Sequence, residues 1–235
     1  MPKKTAGRLN RPPNSNDFDK IPLKALCRTL SGTSYRLHSA DRATGSPRPP
    51  IHFSSKNNSR FDPSGGVGTL YVANTLAGAL MEIFDDRWGA VGTLGRTLTR
   101  HEMKEWWVTR VNLPEVELFD ATGANLSKLG TDAQVTTGQY TITREWALRL
   151  MTHPATIDGI YYSSRHDLEQ RNIALFQRPR FLPARFDIAL YASGPNDWNR
   201  TIAFGDKLVH GPASLLENHS ELFDLLRDLE VAVLP

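Results

Sequence analysis

Most of the patterns that organise reactive side chains are missing from this 235-residue sequence. The seven histidines (His38, His52, His101, His153, His166, His210 and His219) are scattered, and no two stand at i, i+4. His101-Glu102 lacks the second histidine of an H-E-x-x-H helix, so no metal site is expected. Gly65-Gly66-Val67-Gly68 runs into a strand pattern, whereas a phosphate loop needs a helix N-terminus there. A tight turn with positive φ is the better reading. Cys27 reads as a packed or incidental thiol, and a G-x-S-x-G nucleophile elbow is absent. What remains is Arg36, Arg60, Tyr71, Glu82 and Ser164, with Arg60, Tyr71 and Glu82 at equal intervals of eleven residues. Guanidinium forks suit anionic oxygens, a carboxylate can stabilise a developing cation, and phenol and hydroxyl can pack or hydrogen-bond. Each also has a plain structural reading. Arg36 could be a surface ion-pair partner, Tyr71 a half-buried strand residue, Glu82 a solubilising residue, and Ser163-Ser164 a strand end.

The elements that would carry these residues can be read from periodicity. Thr69 to Ala73 alternates as a strand, with Leu70 and Val72 on one face and Thr69 and Tyr71 on the other. A helix follows over residues 75–86, capped by Asn74 or Thr75, with Leu76, Ala79, Leu80, Ile83 and Phe84 as its apolar stripe and Glu82 on the flank. Residues 22–38 form a short helix or strand, and 39–68 are irregular and long enough to suggest function. WWVTRVNL and EVELFD read as two strands around Pro114, and residues 143–153 as a helix. DGIYYSS, NIALFQ and RFDIALY follow as strands, and 192–211 as a loop. A capping box, Ser214-x-x-Glu217, is expected to open the last helix, with Leu215, Leu222, Leu226 and Leu229 as its stripe. Strands without regular βαβ alternation indicate an α+β fold in one domain.

Composition narrows the class. Hydrophobic residues make up 40% and charged residues 23%, values of a globular chain that exclude collagen, coiled coil and wholesale disorder. Apolar runs are too short for a membrane span, the N-terminus lacks an apolar signal core, and a single cysteine suits a reducing compartment, so the expected location is cytoplasmic. Residues 1–28 hold seven basic and two acidic side chains, leaving 21 basic and 23 acidic in the other 207 residues. That mildly acidic body disfavours direct nucleic-acid binding. Residues 1–22 are expected to be a basic, mobile arm, with residues 23–235 as the functional domain ending in a helix. Deleting residues 1–20 should then leave the fold intact.

Three segments, SYRLHS, SRFDPSGGVGTLYVANTLAGALMEIF and DGIYYSSRHDLEQRNIALFQR, resemble the RES domain in order and spacing, from about Leu26 to about Phe186. The resemblance implies an ADP-ribosyltransferase-like mixed sheet flanked by helices and a site for NAD as substrate, with no metal. Many members are toxins of bacterial toxin–antitoxin pairs, neutralised by an Xre-like antitoxin, that cleave the nicotinamide–ribose bond by phosphorolysis or hydrolysis. Transfer of ADP-ribose to a protein is the alternative activity, and a non-enzymatic binding module is the second. Self-association is left open. On this resemblance Arg36 and Arg60 match the two arginines and would bind the diphosphate, with Arg36 the closer to the reacting ribose. Glu82 matches the glutamate and would stabilise the oxocarbenium-like charge. Tyr71 matches the strand tyrosine and would pack against a ring. Ser164 matches the serine, with Ser163 as the alternative register, and would hydrogen-bond the amide or ribose. The nicotinamide nitrogen is already cationic, so no general acid is needed. The acceptor is phosphate or water.

Overall fold

The computed structural model describes residues 11–39, 50–88, 96–165, 167–181, 202–204 and 208–235. Two long strands, β1 (Cys27–Ser39) and β4 (Trp106–Asp120), pair antiparallel along their lengths. Pro114 would ordinarily break such a strand because it has no N–H to donate. It survives because Leu30 pairs with Val116 while Gly32 pairs with Leu113, so β4 carries one extra residue in a bulge containing Pro114. Gly32, opposite, has a φ of 109°, which glycine tolerates. The two strands expected around Pro114 are therefore one.

The pairings then run in a ring. Strand β2 (Thr69–Ala73) pairs antiparallel with β6 (Arg171–Phe176), β6 antiparallel with β5 (Gly159–Ser163), and β5 parallel with β4. Between β1 and β2 the only register pair is Tyr35–Ala73, so these strands splay on either side of it. Strand β8 (Leu208–Leu215) extends the sheet beyond the other half of β4, with β7 (Ile202–Phe204) outside it. A small parallel pair joins β3 (Arg96–Thr99) to β9 (Val231–Leu234). This mixed sheet, with helices packed on it, is an α+β fold, as expected.

Side-chain alternation sorts the core. Leu70, Val72, Tyr161, Ile173 and Leu175 cluster with Val116 and Leu118 on one face. After two single-turn helices, α4 (Asn125–Lys128) and α5 (Gln134–Thr137), comes helix α6 (Tyr140–Thr152), and Ile160, Tyr162, Ala174 and Phe176 face it through Trp146, Ala147 and Leu150. Helix α2 (Leu76–Trp88) buries Leu76, Ala79, Leu80 and Phe84 against Leu37, Ala73 and Val108. Its first turn is capped by Thr75, whose hydroxyl accepts the Gly78 N–H at 2.9 Å. Gly65 and Gly66 form the anticipated positive-φ turn, at 104° and 83°.

Two expectations are corrected, and the structure adds an anchoring contact to the expected arm. Within the expected arm a short helix α1 (Ser15–Phe18) places Phe18 at 0% exposure against Trp146 and His153, while most of the residues around it are exposed. One large aromatic ring buries enough apolar area to anchor a segment that is otherwise polar. Residues 1–10 of the expected arm lie outside the described residues. The stretch 192–211, read as loop, contains β7 and the start of β8, while the expected strand RFDIALY (185–191) is outside the described residues. Ser214 belongs to β8 and does not cap a helix. Leu216–Asn218 form a 3-10 turn, and the last helix, α7 (Leu222–Asp228), starts after Glu221 with no side-chain cap. The stretch 86–105 also contains β3 and helix α3 (Arg100–Lys104), which begins with a Thr99–Glu102 capping box. Among the described residues no helix is long and apolar enough to cross a membrane.

Phe18→Ala is expected to cost about 3–5 kcal/mol of stability, measured by urea denaturation. Truncation through residue 20 should lower Tm for the same reason. An unchanged midpoint in both would show that the ring contributes nothing to the core.

Candidate active site

The splay between β1 and β2 opens a cleft of about 280 Å³. Arg36 from β1, Tyr71 from β2, Glu82 from α2, Tyr162 from β5, Asn172 from β6 and Arg60 from the preceding loop all line it. Arg36 Nη1 donates to the Tyr71 carbonyl oxygen at 3.2 Å, so the guanidinium bridges the separated strands. Its Nε is buried without a partner. Burial lowers its pKa to about 10, which leaves it cationic at neutral pH. Arg60 is 6% exposed, and both its Nε and Nη1 are buried without partners.

Arg60 is held through its backbone. Its carbonyl accepts the Thr143 hydroxyl at 2.6 Å, and the neighbouring Ser59 carbonyl accepts Arg144 Nε at 2.9 Å. Asp62, fully buried, accepts the N–H groups of Asn58 and Ser59 at 3.2 and 3.0 Å and the Tyr71 hydroxyl at 3.0 Å. The same hydroxyl accepts the Phe61 N–H at 2.8 Å. Burial and the Asp62 charge hold the Tyr71 phenol well above its ordinary range, so it stays a donor. Tyr71 thus ties the arginine loop to β2 through its hydroxyl while its ring lines the cleft.

Glu82 is held by neutral donors. Oε2 accepts from Asn172 Nδ2 at 2.8 Å, and Oε1 from the Tyr162 hydroxyl at a longer 3.3 Å. Tyr162 is pushed well above the tyrosine range by burial and by Glu82 itself, so it too remains protonated. Among the described residues Glu82 has no ion pair, with either arginine or with any other cation. Two cations and one anion therefore share a cleft without neutralising one another.

Four of the expected site residues, Arg36, Arg60, Tyr71 and Glu82, come together here. Ser163 and Ser164 do not line the cleft. Ser163 pairs with Arg171, while Ser164 is fully buried just past β5, its N–H donating to the Gln170 carbonyl at 3.0 Å. Strand alternation puts Ser164 on the Tyr162 side and Ser163 on the opposite side. Sequence reasoning passed over Tyr162, Asn172 and Asp62. Asn172 carried a usable signal, since a polar residue opening the apolar run NIALF must find a buried partner. Cys27 donates its thiol to the Leu23 carbonyl at 3.2 Å, and burial pushes it up to about 12, which makes it a poor nucleophile.

The RES domain profile matches residues 28–198, a span that contains every residue of this cleft. The chain belongs to the RES domain family. No curated protein sequence matches it. Among solved structures, this RES domain is similar to a chain of the M. tuberculosis MbcT–MbcA toxin–antitoxin complex. Identity is 13%, over 65% of this chain and 80% of that one, with a TM-score of 0.45.

A buried, unpaired cation costs stability that an anionic ligand would return. Arg60→Met is expected to raise the Tm of the unliganded RES domain by about 2–4 °C, equivalent to about 1 kcal/mol at this chain length. Pyrophosphate should raise the Tm of the wild type and leave that of the variant unmoved. Equal shifts in both proteins would show that Arg60 does not hold an anion.

Proposed function

We propose that this RES domain cleaves the bond between nicotinamide and ribose in NAD, passing the ADP-ribosyl group to phosphate or water. The observation that carries the proposal is the charge-separated cleft. Arg60, buried, and Arg36, partly buried, both keep N–H groups without a partner that suit a diphosphate, and a carboxylate outside any ion pair suits a cation. NAD carries both charges in one molecule. Arg36 and Arg60 bind the diphosphate, with Arg36 on the ribose side because it also reaches β2. The Tyr71 ring packs against the ligand as its hydroxyl holds the loop. In the reaction the C1′–N bond breaks and its electron pair leaves with nicotinamide, which departs neutral. Glu82 stabilises the positive charge that develops at C1′. Water then attacks and loses a proton, giving ADP-ribose, or phosphate attacks to give ADP-ribose 1″-phosphate. Ser164 acts from behind Tyr162, through the end of β5, and is a positioning residue on this reading. Family membership supports the wider role, a toxin held in check by an Xre-like antitoxin protein in the cytoplasm.

The test is product analysis of NAD incubated with the protein, with and without phosphate and with no other macromolecule present. Nicotinamide release is expected, and the second product identifies the acceptor. Absence of nicotinamide, or its release only with a protein that becomes ADP-ribosylated, would contradict the proposal. Glu82→Gln should keep the fold and lower the rate by about 10²–10³-fold, read from initial rates on protein with unchanged circular dichroism.

A further inference from the structure

We infer that Asn172 is the positioning residue for Glu82, orienting its carboxylate with a neutral hydrogen bond so that the charge stays available to the ligand. The inference rests on the reading of Glu82 as the carboxylate at the reacting ribose. Asn172 is 1% exposed on β6, directly across from Tyr162 on β5. Its Nδ2 donates to Glu82 Oε2 at 2.8 Å, and its Oδ1 is buried without a partner. Leaving a buried amide oxygen unsatisfied is costly, so the geometry places the donor on Glu82 at the oxygen's expense. Helix α2 passes the amide on the other side. A Cβ on Gly78 would stand 3.3 Å from Asn172 Oδ1, a tight contact that glycine avoids where the first turn of α2 passes the amide. The helix that carries Glu82 and the strand that carries its partner are joined by the Asn172–Glu82 hydrogen bond.

The neutrality of the partner matters. An arginine or lysine in place of Asn172 would hold the carboxylate equally well and cancel its charge. Asparagine fixes it without doing so. Each carboxylate oxygen has two lone pairs, and Asn172 and Tyr162 each use one, which leaves two for ribose hydroxyls.

Asn172→Asp tests this with nearly no change of shape, because it places a second carboxyl against Glu82. Like charges at hydrogen-bond distance cannot both ionise easily, so the upper midpoint of the pair should rise by at least about one pH unit over that of wild-type Glu82. The readout is the ¹³C-carboxyl titration of Glu82, assigned by its loss in Glu82→Gln, and beside it the acid limb of kcat. Other titratable groups lining the cleft are Tyr35 and Arg36 on β1, Arg60, Tyr71 on β2, Tyr140 on α6 and Tyr162 on β5. Arg36, Tyr71 and Tyr162 titrate far above the carboxyl range. Asn172→Leu should lower kcat about 10–100-fold with KM within about twofold, the pattern of a displaced group at the reacting centre. An unmoved titration in folded Asn172→Asp, or a loss confined to KM in Asn172→Leu, overturns the inference. Should the wild type release no nicotinamide, the proposed function fails, and the titration alone then decides whether Asn172 sets the state of Glu82.

Discussion

Opposite charges lining one cleft ordinarily collapse into an ion pair, and the architecture of this protein is arranged so that they do not. Arg36 is anchored by one N–H on the Tyr71 carbonyl, Arg60 is fixed by a loop nailed down through its backbone, and Glu82 accepts from two neutral donors. Each charge is supplied by a different element, Arg36 by β1, Arg60 by the loop and Glu82 by α2. The cleft that holds them is opened by the splay of β1 from β2 on either side of a single register pair.

The supporting contacts follow from that constraint. Asp62 would be an expensive buried carboxylate were it not satisfied by two backbone N–H groups and the Tyr71 hydroxyl. It shapes the loop that presents Arg60, and Thr143 and Arg144 on α6 hold the same loop from the far side. Helix α6 is itself backed by Phe18, which links the N-terminal segment to the site through Trp146. Stability is given up at the arginines and recovered in this shell of satisfied hydrogen bonds and packed rings.

Local pattern made much of this legible. The alternation of TLYVA and the stripe of α2 placed Tyr71 and Glu82 on their elements, and the RES resemblance joined them to Arg36 and Arg60. What escaped had non-local causes. Phe18 looked like one aromatic in a polar tail, because its anchoring depends on Trp146 and His153, more than a hundred residues away. Pro114 looked like a break because the bulge that absorbs it is a property of the β1–β4 pairing. Ser214-x-x-Glu217 matched a capping box locally, but Ser214 was taken by β8 through its register with Val108. Asn172 showed only as a polar residue opening an apolar strand, and its partner Glu82 lies on α2, ninety residues away.

The central claim is that the cleft holds its charges apart for a ligand that carries both. Calorimetry with NAD and NADH tests it most directly, since the two share the diphosphate and differ in the charge on the nicotinamide ring. The account predicts that wild-type protein binds NAD more tightly than NADH by about tenfold, or 1.4 kcal/mol, and that Glu82→Gln loses the preference while keeping affinity for NADH. Equal affinity of the wild type for the two dinucleotides, or a preference that survives Glu82→Gln, would contradict it.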